Sequence, residues 1–307
     1  MISEAFSGFA SQCGSSPLYA LLARCISQDA EVLELATKTV EGQPPPNLLL
    51  GAVHYLLLGG ADHPLRAYYP SCGGEAREEG LYASFRDFCF GHHPQIERLV
   101  RARRVQTNEV GRTACLSRAF VATGARRLAL VEVGTSAGLN LNGDRYEGIT
   151  CESRGGKLPP DGPWPEITAR VGIDRRPVDL NDPDEVLWLR ALVWPDQPYR
   201  MARLENAIAI TKRDPPRLVE GDALTSLEHV VEELPRAAPV CVFHSSTLSQ
   251  FSVEGREQFG AIIRRMRENR DLFYVSMEWL GTPTAELRLN EALLARCDAH
   301  GGWIEWV

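Results

Sequence analysis

A chain of 307 residues and 34.0 kDa has room for two domains or one large one. Its 44% hydrophobic and 24% charged residues supply a core and exclude a disordered chain. A net charge of -7 and a pI near 5.6 offer no basic field for nucleic acid, so none is expected as a partner.

The first ten residues carry Glu4 and no basic segment, so no signal peptide is expected. Residues 17–27 place Leu18, Leu21, Leu22, Cys25 and Ile26 at helical spacing, with Ser16 as cap and Pro17 at the first helical position. Residues 30–40 repeat the pattern until Pro44, Pro45 and Pro46 break it. A third, buried helix is predicted over 47–58. It overlaps the longest apolar stretch, residues 48–61, which falls short of the roughly 20 residues that span a bilayer. No membrane partner is therefore expected. Helices follow over 81–90, 94–103 and 108–123.

The pattern then changes. Residues 127–133 (RLALVEV) form a short apolar run with a glycine-rich turn behind it, as a buried parallel strand does. Further strands are predicted over 167–173, 217–220, 239–243, 272–279 and 302–307. Helices are predicted over 184–194, 198–212, 223–234, 253–269 and 285–300. Strands alternating with helices predict an α/β fold, a doubly wound and mainly parallel sheet, preceded by an all-helical part. The expected division is a helical cap and substrate domain over 1–126 and a ligand-binding sheet domain over 127–307.

Eight cysteines are scattered, the closest two being Cys13 and Cys25, and no Cys-x-x-Cys spacing exists. No histidines stand at the helical spacing that pairs zinc ligands. No metal is expected, and a reducing cytoplasm is the expected location.

The sharpest local feature is Glu132-Val133-Gly134-Thr135-Ser136-Ala137-Gly138, a strand end that turns into a helix start. Glycines there let backbone approach a ligand, and free N–H groups favour a polar or anionic partner. The spacing is similar to the Glu/Asp-x-Gly-x-Gly-x-Gly loop of S-adenosylmethionine (SAM) methyltransferases, with Ser136 in place of the middle glycine. The same residues match Gly-x-Ser-x-Gly, the nucleophile elbow of hydrolases, with Asp222 and a later histidine in the required chain order. Asp174 ends the second predicted strand, where a carboxylate accepts ribose hydroxyls. Asp222 follows the third, where it accepts from an adenine amino group while the Ala223 N–H meets a ring nitrogen. Asp222 equally suits a helix cap. His244 ends the fourth strand, beside Ser245, and is a candidate general base. Glu109 is the other candidate proton acceptor, and with Arg112 it reads equally as a surface ion pair.

Gln106 to Arg112, Val131 to Leu141, Asp144-Arg145-Tyr146, Ala191 to Pro195, Gly221-Asp222 and Val242 to Ser245 together resemble a bacterial family, the domain of unknown function 2332 family. The resemblance spans nearly the whole chain. It implies a Rossmann-like methyltransferase fold with SAM as cofactor, and it makes Asn108, Glu109 and Arg112 part of a family motif. The expected assignment is therefore cofactor binding by Glu132, Gly134, Ser136, Gly138, Asp174, Asp222 and Ala223. Substrate contacts are expected from Asn108, Arg112, Asn140, Tyr146 and Ser245, and catalysis from His244 and Glu109. The expected function is methyl transfer to a small molecule. A serine hydrolase using Ser136 and a non-catalytic metabolite-binding protein are the alternatives.

Overall fold

The computed structural model describes residues 2–279 and 284–307. Helices fill the first part: α1 (Ile2–Gln12), α2 (Pro17–Ile26), α3 (Ala30–Thr37), α4 (Pro45–Leu58), α5 (Leu81–Gly91) and α6 (His93–Ala102). The cap on α2 is as expected, since Ser16 Oγ accepts from Tyr19 N. A 3-10 turn at Val110–Arg112 leads into α7 (Thr113–Ala122), so the single helix predicted over 108–123 begins later.

The strands and remaining helices are β1 (Arg127–Val133), β2 (Glu152–Arg154), β3 (Glu166–Asp174), α8 (Pro183–Ala191), α9 (Pro198–Arg213), β4 (Arg217–Glu220), α10 (Ala223–Glu233), β5 (Val240–Ser245), α11 (Val253–Asn269), β6 (Leu272–Glu278), β7 (Ala285–Leu289), β8 (Ala292–Cys297) and β9 (Trp303–Trp306). They build one sheet in the order β2-β9-β8-β7-β6-β5-β1-β3-β4. From β6 to β4 every pairing is parallel. In chain order these five strands run 5-4-1-2-3, so the order reverses between β1 and β5. That is the topological switch point of a doubly wound sheet.

The centre of the sheet, at β1 and β5, is buried on both faces, which explains the unbroken apolar run of β1. Val131 and Val133 pack with Leu227 of α10 and Phe259 of α11. Leu128 and Leu130 pack on the other face with Leu116 and Phe120 of α7. The fold is α/β with a mostly parallel sheet.

Two expectations are corrected. Residues 285–300 are not a helix but the hairpin β7–β8. Asn290 (φ 49°) and Glu291 (φ 73°) form its two-residue turn, both left-handed as such hairpins require. Helix-forming Glu, Leu, Ala and Arg dominate the local sequence, and pairing of β7 with β6 overrides them. Glycine relieves about 1–2 kcal/mol of left-handed strain and returns about 0.5–1 kcal/mol in chain entropy. Glu291→Gly is therefore expected to stabilise the protein by roughly 0.5–1 kcal/mol in urea denaturation, and an unchanged midpoint would contradict this turn assignment.

The compact units also divide elsewhere than at residue 127. One holds the chain up to Thr107 with Asn181–Ala202, the other Asn108–Leu180 with Arg203–Val307. The late segment joins the helical unit through polar anchors. Asp196 accepts from Ser16 Oγ (2.6 Å) and Leu18 N, and buried His54 donates from Nδ1 to Ala191 O. Trp188, Leu192 and Trp194 complete that apolar core. The helix α7 belongs to the sheet unit. No helix among the described residues is long and apolar enough to cross a membrane.

Candidate functional site

The turn after β1 is held by left-handed backbone at Gly134 (φ 71°), Ser136 (φ 53°) and Gly138 (φ 73°). Gly134 N donates to Ile173 O, and Ser136 N donates to Asp174 Oδ2 at 2.9 Å. Asp174 at the tip of β3 thus shapes the turn, and its Oδ1 accepts from Arg176 N. Gly172 has a specific purpose: a Cβ there would fall 2.4 Å from Thr135 Cγ2. This close approach lets the Thr135 hydroxyl turn inward and donate to Glu132 Oε2 at 2.7 Å.

Glu132 is the centre of a buried polar cluster on the α7 face of the sheet. Its exposure is 2%. Oε1 accepts from Asn140 Nδ2 at 3.3 Å. Burial pushes its carboxyl up to about 8, although Thr135, Asn140 and the Arg112 charge act in the opposite sense. Asn140, also 2% exposed, keeps an Oδ1 with no hydrogen-bond partner among the described residues. Asn108 Oδ1 accepts from Leu139 N, and Tyr146 OH donates to Leu139 O at 2.6 Å. Glu109 Oε1 accepts from Gly111 N. Arg112 donates from Nε to Ala299 O and from Nη1 to Ser245 O and Oγ. The structure therefore brings Asn108, Glu109, Arg112, Glu132, Asn140, Tyr146 and Ser245 to the carboxyl edge around β1 and β5.

His244 is placed differently. It points to the α11 face, with its ring 5.7 Å from that of Phe259. Its Nδ1 donates to Glu278 Oε1 at 2.6 Å, and its Nε2 accepts from Tyr274 OH at 2.7 Å. It is fully buried and both ring nitrogens are engaged. Asp222 caps α10 through Leu224 N, with Ala223 as the first helical residue, and pairs with Arg175. The cap and the strand-end position hold together.

Two residues of this region carry no motif in the sequence. Glu278 ends β6, and its Oε1 also accepts from Thr247 N (2.8 Å) and Leu248 N (3.3 Å). Thr247 Oγ1 donates to Val133 O and Ser245 O, bridging the ends of β1 and β5. A strand-end acid was the only signal for Glu278. A cavity of about 530 Å³ lies elsewhere in the sheet unit, lined by Arg145, Glu147, Asn206, Ile210, Arg213 and Asp214.

Residues 3–306 match the model of a family described as an uncharacterized protein conserved in bacteria (DUF2332). The chain belongs to this family. No curated protein matches it. The turn after β1 of this DUF2332 protein and its 108–112 segment meet on one face of the sheet through Asn108 and Leu139.

Proposed function

We propose that this DUF2332 protein binds SAM at the carboxyl edge of its parallel core and transfers the methyl group to a small molecule. The observation that carries the reading is the reversal of strand order between β1 and β5, with the glycine turn on β1 and an acid at the tip of β3. Doubly wound sheets take their ligands in that crevice.

The residues present fit the cofactor. Asn140 Oδ1 is a buried acceptor with no partner among the described residues, beside the carboxyl of Glu132, and the pair suits an ammonium group. Asp174 ends β3 and Asp222 follows the neighbouring strand β4, where they suit ribose hydroxyls and an adenine amino group, with Ala223 next to Asp222 in the chain. Gly134, Ser136 and Gly138 would follow the methionine and ribose portions. The cofactor supplies an electrophilic methyl group when bound. Asn108, Arg112, Tyr146 and Ser245 would line the acceptor side, and Glu109 is the candidate proton acceptor. His244 acts as a positioning residue, because its nitrogens serve Glu278 and Tyr274.

The left-handed Ser136 is the observation that favours a hydrolase elbow. The commitment of both His244 nitrogens weighs against it, and His229 is exposed and paired with Glu233. A fluorophosphonate probe should leave Ser136 unlabelled, and stoichiometric labelling would restore the hydrolase. Calorimetric titration with SAM and S-adenosylhomocysteine tests the main reading. Absence of heat at millimolar ligand, with the fold intact, would end it. Binding without turnover on any acceptor would leave a metabolite-binding protein on the same site.

A further inference from the structure

The crevice where a ligand is expected holds a piece of the protein itself. A Cβ built on Gly134 would fall 2.5 Å from both Cγ2 and Oγ1 of Thr247. The glycine is thus pressed by the turn that follows β5, and its open side is taken. Thr247 closes the gap between the switch-point strands through its bonds to Val133 O and Ser245 O. The preceding residue, Ser246, is held left-handed at φ 53°. A non-glycine residue keeps that conformation only where its surroundings impose it.

The constraint comes from β6. Ser246 N donates to Met277 O, and Thr247 N and Leu248 N converge on one oxygen of Glu278. His244 Nδ1 donates to the same oxygen and Tyr274 fixes the other ring nitrogen, so the carboxylate cannot swing freely. The second oxygen, Oε2, is buried without a hydrogen-bond partner among the described residues. A single oxygen with three donors, on a carboxylate that is 7% exposed, is a concentrated point of attachment.

We infer that the turn 246–248 is a plug over the switch point and that Glu278 is its latch. Ligand reaches the crevice between β1 and β5 when this turn lifts. His244 is a positioning residue for the latch. Thr247 is displaced by ligand rather than lining the ligand site, and ligand binding is therefore paid for partly by opening the turn.

The test uses the full chain, wild type against Thr247→Ala and Glu278→Gln. Hydrogen exchange reads the latch without any ligand. Glu278→Gln should speed exchange at the Thr247 and Leu248 amides at least tenfold while the amides of β1 stay protected. Unchanged exchange at those two amides would overturn the latch. S-adenosylhomocysteine, a probe that rests on the reading above, tests the plug by calorimetry. Thr247→Ala should bind it at least tenfold more tightly than wild type. Equal or weaker affinity would overturn the plug and leave the cofactor reading intact. Binding by neither protein, although the turn exchanges freely, would overturn the cofactor reading, and the latch then stands or falls on exchange alone.

Discussion

Glu132→Gln is expected to remove most of the loss of stability that the wild-type protein suffers between pH 4.5 and pH 8. Burial holds the folded carboxyl's proton up to about 8, against an ordinary value of 4.5. Below pH 4.5 the group is protonated in both states and costs nothing. Between the two values the unfolded chain releases its proton and the folded chain keeps it. Unfolding is then increasingly favoured as pH rises, and the penalty is complete above pH 8. For a group this deeply buried the full effect is several kcal/mol, up to roughly 5. A neutral glutamine avoids it. Its amide can accept from Thr135 and, after a half-turn of the Asn140 amide, donate to Asn140 Oδ1. Urea denaturation at pH 5 should find the two proteins close, and at pH 9 the variant should be the more stable. Parallel stability curves from pH 5 to 9 would refute the buried-acid reading of Glu132.

The same substitution bears on function. An ammonium group seated against Glu132 requires the ionised carboxylate, so binding near pH 7 should release a proton in the wild type. Titrations in buffers of different ionisation enthalpy should show that release, and Glu132→Gln should lose it together with affinity. A proton count near zero in the wild type would separate the ligand from Glu132.

The parallel core was legible because buried parallel strands leave a plain signal. RLALVEV and PVCVF are short apolar runs, each bounded by turn residues, and both became central strands. The order of glycine turn, Asp174 and Asp222 along the chain also matched the order of strand ends. The hairpin β7–β8 was hidden, since Ala285 to Cys297 is rich in helix formers and its strand state depends on pairing with β6. The late helical segment was hidden for a different reason. Its membership rests on contacts between Asp196 and Ser16, 180 positions apart, and between Ala191 and His54, and no local pattern encodes these. The face of His244 follows from strand alternation once β5 is placed: Phe243 and Ser245 go to the α7 side, and His244 to the other. A strand-end histidine read as a motif carries no such direction. Glu278 and Thr247 show the same limit, because their meaning arises only where β5, β6 and β1 end side by side.

Gly301→Ala should be among the most damaging small substitutions in the protein, costing about 3–5 kcal/mol. Gly301 is left-handed at φ 78°, which alone penalises alanine by about 1–2 kcal/mol. Its Cβ would also fall 2.1 Å from Gly111 O, 2.4 Å from Gly111 C and 2.8 Å from Arg112 N. These are backbone atoms and cannot rotate away. Gly111 faces the same junction, since a Cβ there would lie 2.3 Å from His300 O. Two main chains thus touch where the 110–112 turn meets the 299–301 loop, and this contact lets Arg112 reach Ala299 O and Ser245. Gly111→Ala should destabilise for the same reason. The double variant should cost less than the sum of the two, because one displacement of the loops relieves both overlaps. Gly156→Ala is the control: its Cβ meets nothing within 4 Å among the described residues and should change stability by less than about 0.5 kcal/mol. Urea unfolding of the four variants against wild type decides the matter. Stability of Gly301→Ala within about 1 kcal/mol of wild type would mean that the two loops stand further apart than described. If the variant stays folded, weaker S-adenosylhomocysteine binding with an unchanged sheet would show that Arg112, displaced with its turn, belongs to the ligand site.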